Sequence, residues 1–156
     1  MIAIIVGMTE ERVIGKDNAL PWHIPEELKS FKELTNEQVV IMGRKTYDSI
    51  PSKFKPLPNR HNIVISRSMS DEEGIDVCRS IQESIDKAKS YNKDIFIIGG
   101  STIYKEFLPI ADTMFISYIK GNFDGDTYFP EFKKDEWDIA EKVEFDQFTR
   151  IKYKRK

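Results

Sequence analysis

Six short runs of β-branched and other apolar residues, at 2–6, 39–42, 62–65, 76–78, 95–98 and 114–119, limit the architectures open to this chain. Several are continuous in apolar character, the pattern of strands covered on both faces. Between them the apolar positions take helical spacing at 26–34, 46–50, 81–90 and 102–108. Strands that alternate with helices build an α/β layer around a largely parallel sheet. The last part differs, because 137–145 and 148–153 are separated only by Asp146-Gln147, a connection that suits a closing antiparallel hairpin. The expectation is one α/β domain over residues 1–156, with a mixed, mostly parallel eight-stranded sheet, about four flanking helices and a C-terminal antiparallel hairpin. The proline-rich stretch 51–58 reads as a loop within that domain.

A chain of 156 residues can bury roughly two thirds of its unfolded surface and needs no covalent staple. Its formal charge of -2 gives no general attraction to phosphate polymers or anionic membranes, so neither nucleic acid nor membrane is expected as a partner. The basic finish, Arg150 to Lys156, alternates as an edge strand would. A single Cys78 excludes an internal disulfide and reads as a small core or strand residue, while His23 and His61 lack metal-ligand spacing. No metal is expected. The opening MIAIIVG is too short to span a membrane and has no basic segment before it; it reads as the first buried strand of a cytoplasmic protein. A monomer is expected.

Three strand ends carry chemistry. The run Ile95 to Ile98 enters Gly99-Gly100 and then a helix beginning near Ser101-Thr102, and glycines let a backbone approach a ligand while helix-start amides suit a diphosphate. A plain tight turn is the alternative, and the string is not a GxGxxG fingerprint. At the second end, Gly43-Arg44-Lys45-Thr46, two cations precede a hydroxyl at the expected helix start. A phosphate there would meet an Arg fork, a hydroxyl and helix amides together. The upstream glycine of an ATPase loop is missing, since position 38 is Gln38. The third end, Ser66-Arg67-Ser68, repeats hydroxyl and cation. Two such ends beside paired glycines suggest a pyridine nucleotide with an extra phosphate, NADPH in preference to NADH, held at the carboxyl ends of strands.

Between Ile14 and Phe31 a glycine turn, Pro21-Trp22 and Pro25 lead into a helix whose first turn carries Glu26 and Glu27. If Pro25 opens the helix, Glu27 borders the stripe of Leu28 and Phe31, while Glu26 faces away with Lys29, Ser30 and Glu33. A solvated glutamate favoured by the helix dipole is the alternative reading. His23 is expected to be a solvent-facing neighbour of Trp22.

The string Ile14-Gly15-x-x-Asn18-Ala19-Leu20-Pro21-Trp22-x-x-Pro25-x-Glu27-Leu28-x-x-Phe31 resembles the signature loop and helix of dihydrofolate reductase. Met42-Gly43-Arg44-x-Thr46 with Ser49-Ile50, Pro56-Leu57-Pro58-x-Arg60, Ile98-Gly99-Gly100 with Tyr104, and Gly125-Asp126-Thr127-x-Phe129-Pro130 follow in that family's order and spacing. The resemblance implies reduction of dihydrofolate to tetrahydrofolate by NADPH, with hydride delivered to carbon 6 and a proton to nitrogen 5, in support of one-carbon metabolism. Glu27, Trp22 and Leu20 fall at catalytic positions, the acid holding the pterin's 2-amino edge. Burial is expected to raise its pKa. Ile5, Leu28, Phe31, Ile50, Leu57, Arg60 and Ser117 match substrate positions, with Arg60 on the glutamate tail and Ile5 and Ile98 supplying carbonyls to the pterin.

On the cofactor side the resemblance assigns Gly7, Ile14, Gly15, Asn18, Ala19 and Leu20 to the nicotinamide, Gly43, Arg44, Lys45, Thr46, Ser66 and Arg67 to the adenosine phosphate end, and Ile98, Gly99, Gly100, Ser101, Thr102 and Tyr104 to the diphosphate region. The family joins its two glycines by a cis peptide. Many bacterial members carry Asp where this chain has Glu27 and Met where it has Leu20; Ser101 replaces a third glycine, and the terminal hairpin is shorter than usual. Two other functions compete. One is an NADPH-dependent reductase of a ribosylated aminopyrimidine in flavin synthesis, and the other is a catalytically silent nucleotide-binding module.

Overall fold

The computed structural model describes residues 1–17 and 19–156. In chain order the elements are β1 (Ile2–Met8), β2 (Val13–Gly15), α1 (Pro25–Thr35), β3 (Val39–Gly43), α2 (Arg44–Ser49), β4 (His61–Ile65), β5 (Ile75–Cys78), α3 (Ile81–Lys89), β6 (Ile95–Ile97), α4 (Ser101–Phe107), β7 (Thr113–Ile119), β8 (Thr127–Tyr128), β9 (Trp137–Glu144) and β10 (Phe148–Arg155). Eight strands form one sheet in the order β5-β4-β3-β6-β1-β7-β10-β9, and β2 pairs with β8 in a separate ribbon. Pairings from β5 through β7 are parallel; β10 runs antiparallel to both β7 and β9. The eight-stranded α/β architecture agrees with the sequence reading. The β2–β8 ribbon was not foreseen, because its segments are too short to show a periodicity.

Side chains of the central strands split between two faces, and each face is covered. Ile4, Val6, Ile41, Ile63, Ile97 and Ile116 pack with Ile85, Ala88, Tyr104 and Phe107 of α3 and α4. Ala3, Ile5, Val40, Met42, Val64, Phe96 and Phe115 pack with Tyr47 of α2 and with Phe31 and Leu34 of α1. Double coverage is the reason the strands read as continuous apolar runs.

The boundaries bring three corrections. The second helix begins at Arg44, not Thr46, because extended Gly43 serves as its N-cap, so Arg44 and Lys45 are its first two residues. The fourth begins at Ser101 behind Gly100. Ser30 does not face solvent with Glu26, for it is only 5% exposed and is met by a side chain from β10. In the hairpin, the Phe145 amide donates to the Phe148 carbonyl at 2.9 Å, so Asp146-Gln147 is indeed the whole turn. Among the described residues no helix is long and apolar enough to cross a membrane.

Candidate active site

Gly7, near the end of β1, is the floor of the site. It lies beside Ser117 of β7, and α1 crosses above it. A Cβ at residue 7 would come within 2.9 Å of Glu27 Oε1 and 3.7 Å of Trp22 Cζ2, so the acid and the indole occupy the room a side chain there would take. Pro25 opens α1 and places Glu27 in its first turn, pointing down to the sheet, while Glu26 is exposed. Burial of the carboxyl pushes its pKa from 4.5 up to about 7. Trp22 is buried against Phe123, Ile24, Ile119 and Phe148, and its indole Nε1–H meets no acceptor among the described residues. A buried donor without a partner is costly in a closed protein, and here its ring shares the space over Gly7 with the acid. Ser117 is buried next to it, while His23 is exposed as expected.

One wall is apolar. Phe31, Ile50 and Leu57 converge in a single cluster, with Leu28 exposed on its rim. Arg60 closes the far end: its Nε donates to the Pro58 carbonyl at 2.9 Å, its Nη1 to Thr35 Oγ1 at 3.1 Å, and its guanidinium lies 5.9 Å from the Phe31 ring. Partial burial lowers its pKa, yet a guanidinium stays charged and keeps further donors. Buried Asn62 exchanges bonds with the Leu57 amide and carbonyl and donates to the Arg60 carbonyl, so a residue the sequence reading passed over holds this loop in shape.

The opposite wall is backbone. Strand β3 ends at Gly43 and its neighbour β6 runs on past Ile97 to Gly99, where the Gly43 N–H donates to the Gly99 carbonyl at 2.9 Å. Gly99 has φ +121 and a cis bond to Gly100, and a Cβ there would meet the Tyr104 hydroxyl at 3.3 Å. A Cβ at Gly100 would lie 3.5 Å from Thr46 Oγ1, so the starts of α2 and α4 converge on one cradle, with Ser101 and Thr102 opening the second helix. Amide ends of two helices beside side-chain-free backbone fit a diphosphate. Buried Tyr104 packs beneath this turn; its hydroxyl donates at 2.9 Å to the Ile5 carbonyl, and burial, then the charge of Glu27, raises its pKa.

Cations line the next three strand ends. Half-exposed Arg44 lies 3.5 Å from Asp48, Lys45 and Arg67 are exposed, and Arg79, just after β5, donates at 2.9 Å to the Ser66 carbonyl. Arg79 was missed because it follows its strand with no glycine or hydroxyl motif; only the sheet order brings it beside Ser66. The residues present therefore fit an anionic dinucleotide with an added phosphate.

The family model described as dihydrofolate reductase matches residues 1–155. The chain belongs to the dihydrofolate reductase family. The dihydrofolate reductase of Haemophilus influenzae is 40% identical over 148 residues, covering 95% of this chain and 88% of the relative. That of Bacillus subtilis is 41% identical over 141 residues, covering 90% and 82%. A solved dihydrofolate reductase from Enterococcus faecalis, complexed with NADP(H) and RAB-propyl, superposes with a TM-score of 0.88 at 34% identity, over 99% of this chain and 96% of that one.

The loop ahead of α1 is tied down locally. Lys16 and Ala19 exchange backbone hydrogen bonds at 2.8 and 3.0 Å, Gly15 pairs with Thr127, and Ile14 packs on the core. Leu20 is 52% exposed at the loop's edge. Asn18, expected on the cofactor side, lies outside the described residues. Asp126, part of a recognised string but given no role, stitches this loop: its amide donates to the Gly15 carbonyl and its Oδ2 accepts from the Asp17 amide, both at 3.0 Å. Among the described residues no group of three or more His, Cys, Asp or Glu could hold a metal. A cleft of about 500 Å³ opens elsewhere, along Tyr118, Lys134 and Tyr153, and none of the site residues line it.

Proposed function

We propose that this chain reduces dihydrofolate to tetrahydrofolate with NADPH, and that Glu27 is the residue on which the reaction turns. The observation that carries this reading is the buried Glu27 carboxyl seated over Gly7 beside the Trp22 ring. A carboxylate so placed offers two acceptors side by side, the match for an amino group and an adjacent ring N–H, and charge assistance strengthens such a pair. Near neutral pH it takes either protonation state. Phe31, Ile50 and Leu57 supply the apolar wall, Leu28 its rim, Arg60 the clamp for a tail carboxylate, and Ile5 and Ile98 the carbonyls for the pterin. Ser117 and the Trp22 indole complete the polar lining beside the acid.

NADPH supplies the hydride when bound. Gly7, Ile14, Gly15, Ala19 and Leu20 form its nicotinamide side; Gly43, Gly99, Gly100, Ser101 and Thr102, with Ile98 and Tyr104 behind them, flank its diphosphate. Arg44, Lys45, Thr46, Ser66, Arg67 and, added by the fold, Arg79 receive its further phosphate. Holding two reactants at contact distance lowers the barrier to hydride transfer alongside what Glu27 contributes. The acid, the apolar wall and Arg60 favour this reading over an aminopyrimidine reductase or a silent nucleotide module, neither of which needs all three.

We also read the chain as one cytoplasmic domain that works as a monomer without nucleic acid. Supporting this are its charge of -2 and an edge strand, β9, that carries Asp138, Glu141, Lys142 and Glu144 and so resists pairing with another sheet.

Purified protein is expected to consume NADPH when dihydrofolate is added; turnover of a ribosylated aminopyrimidine instead would move the assignment to that class. Arg44→Ala is expected to weaken NADPH binding about tenfold and leave NADH binding within twofold, since the lost charge-assisted bond serves only the extra phosphate. Equal losses for both cofactors, read by fluorescence titration, would remove Arg44 from that role.

A further inference from the structure

The helix that carries Glu27 has few polar ties to its surroundings. Its N-cap, Ile24, makes no side-chain cap bond. Among the described residues, two side-chain hydrogen bonds reach α1 from other elements. Arg60 donates to Thr35 in the last turn at 3.1 Å, and Arg150 of β10 donates through Nη1 to Ser30 Oγ at 2.5 Å, one turn beyond Glu27.

Arg150 is held from three directions and its side chain is only 17% exposed. Nη2 lies 3.7 Å from Glu141 of β9, and the guanidinium carbon is 5.6 Å from the Phe145 ring. The registers put Arg150 beside Ser117 and Ser117 beside Gly7, in one row across β10, β7 and β1. At about 4.8 Å between strands, Arg150 and Gly7 are about 10 Å apart, which an Arg side chain and one helical turn span together. One row of the sheet thus seats Glu27 over Gly7 and Ser30 against Arg150.

A carboxyl sunk in a poorly solvated site is drawn outward toward water, so something must oppose the lifting of this end of α1. The Arg60–Thr35 bond sits at the other end of α1, about two turns from Glu27. We propose that Arg150 is a positioning residue for the reaction: through Ser30 it sets how deeply α1 lowers Glu27 over Gly7. It touches no reacting atom. This rests on the reading of Glu27 as the acid that holds the substrate.

The test compares Ser30→Ala, Arg150→Met, their double variant and Arg150→Lys in the full-length protein. The two single variants are expected to raise KM for dihydrofolate about tenfold, the scale of one hydrogen bond to a charged group, with KM for NADPH within twofold because its contacts come from other elements. The double variant is expected to cost no more than either single one, and Arg150→Lys to recover most of the loss, as two ends of one contact require. Ser30→Ala removes only a hydroxyl, so it remains decisive should Arg150→Met fail to fold. Unchanged KM in Ser30→Ala, an equal rise for both substrates, or additive losses would overturn the proposal. Parent protein that turns over dihydrofolate and loses this with Glu27→Ala, alongside an unaffected Ser30→Ala, would sink the positioning role alone; a parent inert toward dihydrofolate would sink the underlying reading first.

Discussion

Glu27→Ala is expected to lower kcat/KM for dihydrofolate by about 10²–10⁴-fold while NADPH affinity stays within twofold. The reason is local. The atoms nearest a Cβ at Gly7 belong to the Glu27 carboxyl and the Trp22 ring, so alanine leaves an apolar neighbour where the two acceptors were. Steady-state kinetics at several pH values, with cofactor titration, measures both quantities; retained turnover would show that the acid has no part in the chemistry. Hydride transfer in the parent, measured in single turnovers, is expected to slow as pH rises past about 7, because nitrogen 5 must receive a proton whose supply falls.

The same acid links stability to pH. Its folded pKa of about 7 lies above the unfolded value of 4.5, so between these the folded state binds more protons than the unfolded one. The contribution is fully present below pH 4.5 and is lost as pH rises to 7. Across that interval the loss is on the order of 3 kcal/mol for the free protein. Glu27→Gln, neutral throughout, is expected to escape it. Urea unfolding at pH 5 and pH 8 would therefore find the variant gaining on the parent as pH rises, and parallel profiles would mean that the acid is solvated.

The second large effect is expected at Gly125→Ala. A Cβ there would overlap Val13 Cγ1 and come within 2.7 Å of the Gly15 carbonyl oxygen. Backbone cannot yield as the end of a side chain can, so the β2–β8 ribbon must part. Overpacking of this kind costs about 1–3 kcal/mol, or roughly 2–12 °C in Tm. Function should fall further than stability. Asp126, the next residue, bonds to Gly15 and Asp17, and the chain from there to α1 carries Leu20 and Trp22 over the site. A displacement near 1 Å can cost about 10²-fold, so kcat is expected to drop on that scale. Thermal melts paired with stopped-flow transients separate the two, and a variant with parental kcat would show that the ribbon does not set the loop's place.

Much of this was legible in the residues alone, for a physical reason: the features concerned are local. Continuous apolar runs report strands covered on both faces, and Pro25 ahead of Glu27, Leu28 and Phe31 reports which way a helix turns its acid. The tertiary structure alone decided what depends on elements distant in sequence. Arg79 joins the cation row only because β5 lies beside β4, and Ser30 meets Arg150 only because the fold brings together residues 120 positions apart. The depth of Glu27 follows the same rule. Sequence spacing points its side chain at the sheet, but the room it enters is the side chain missing at Gly7, on a strand that helix periodicity cannot see.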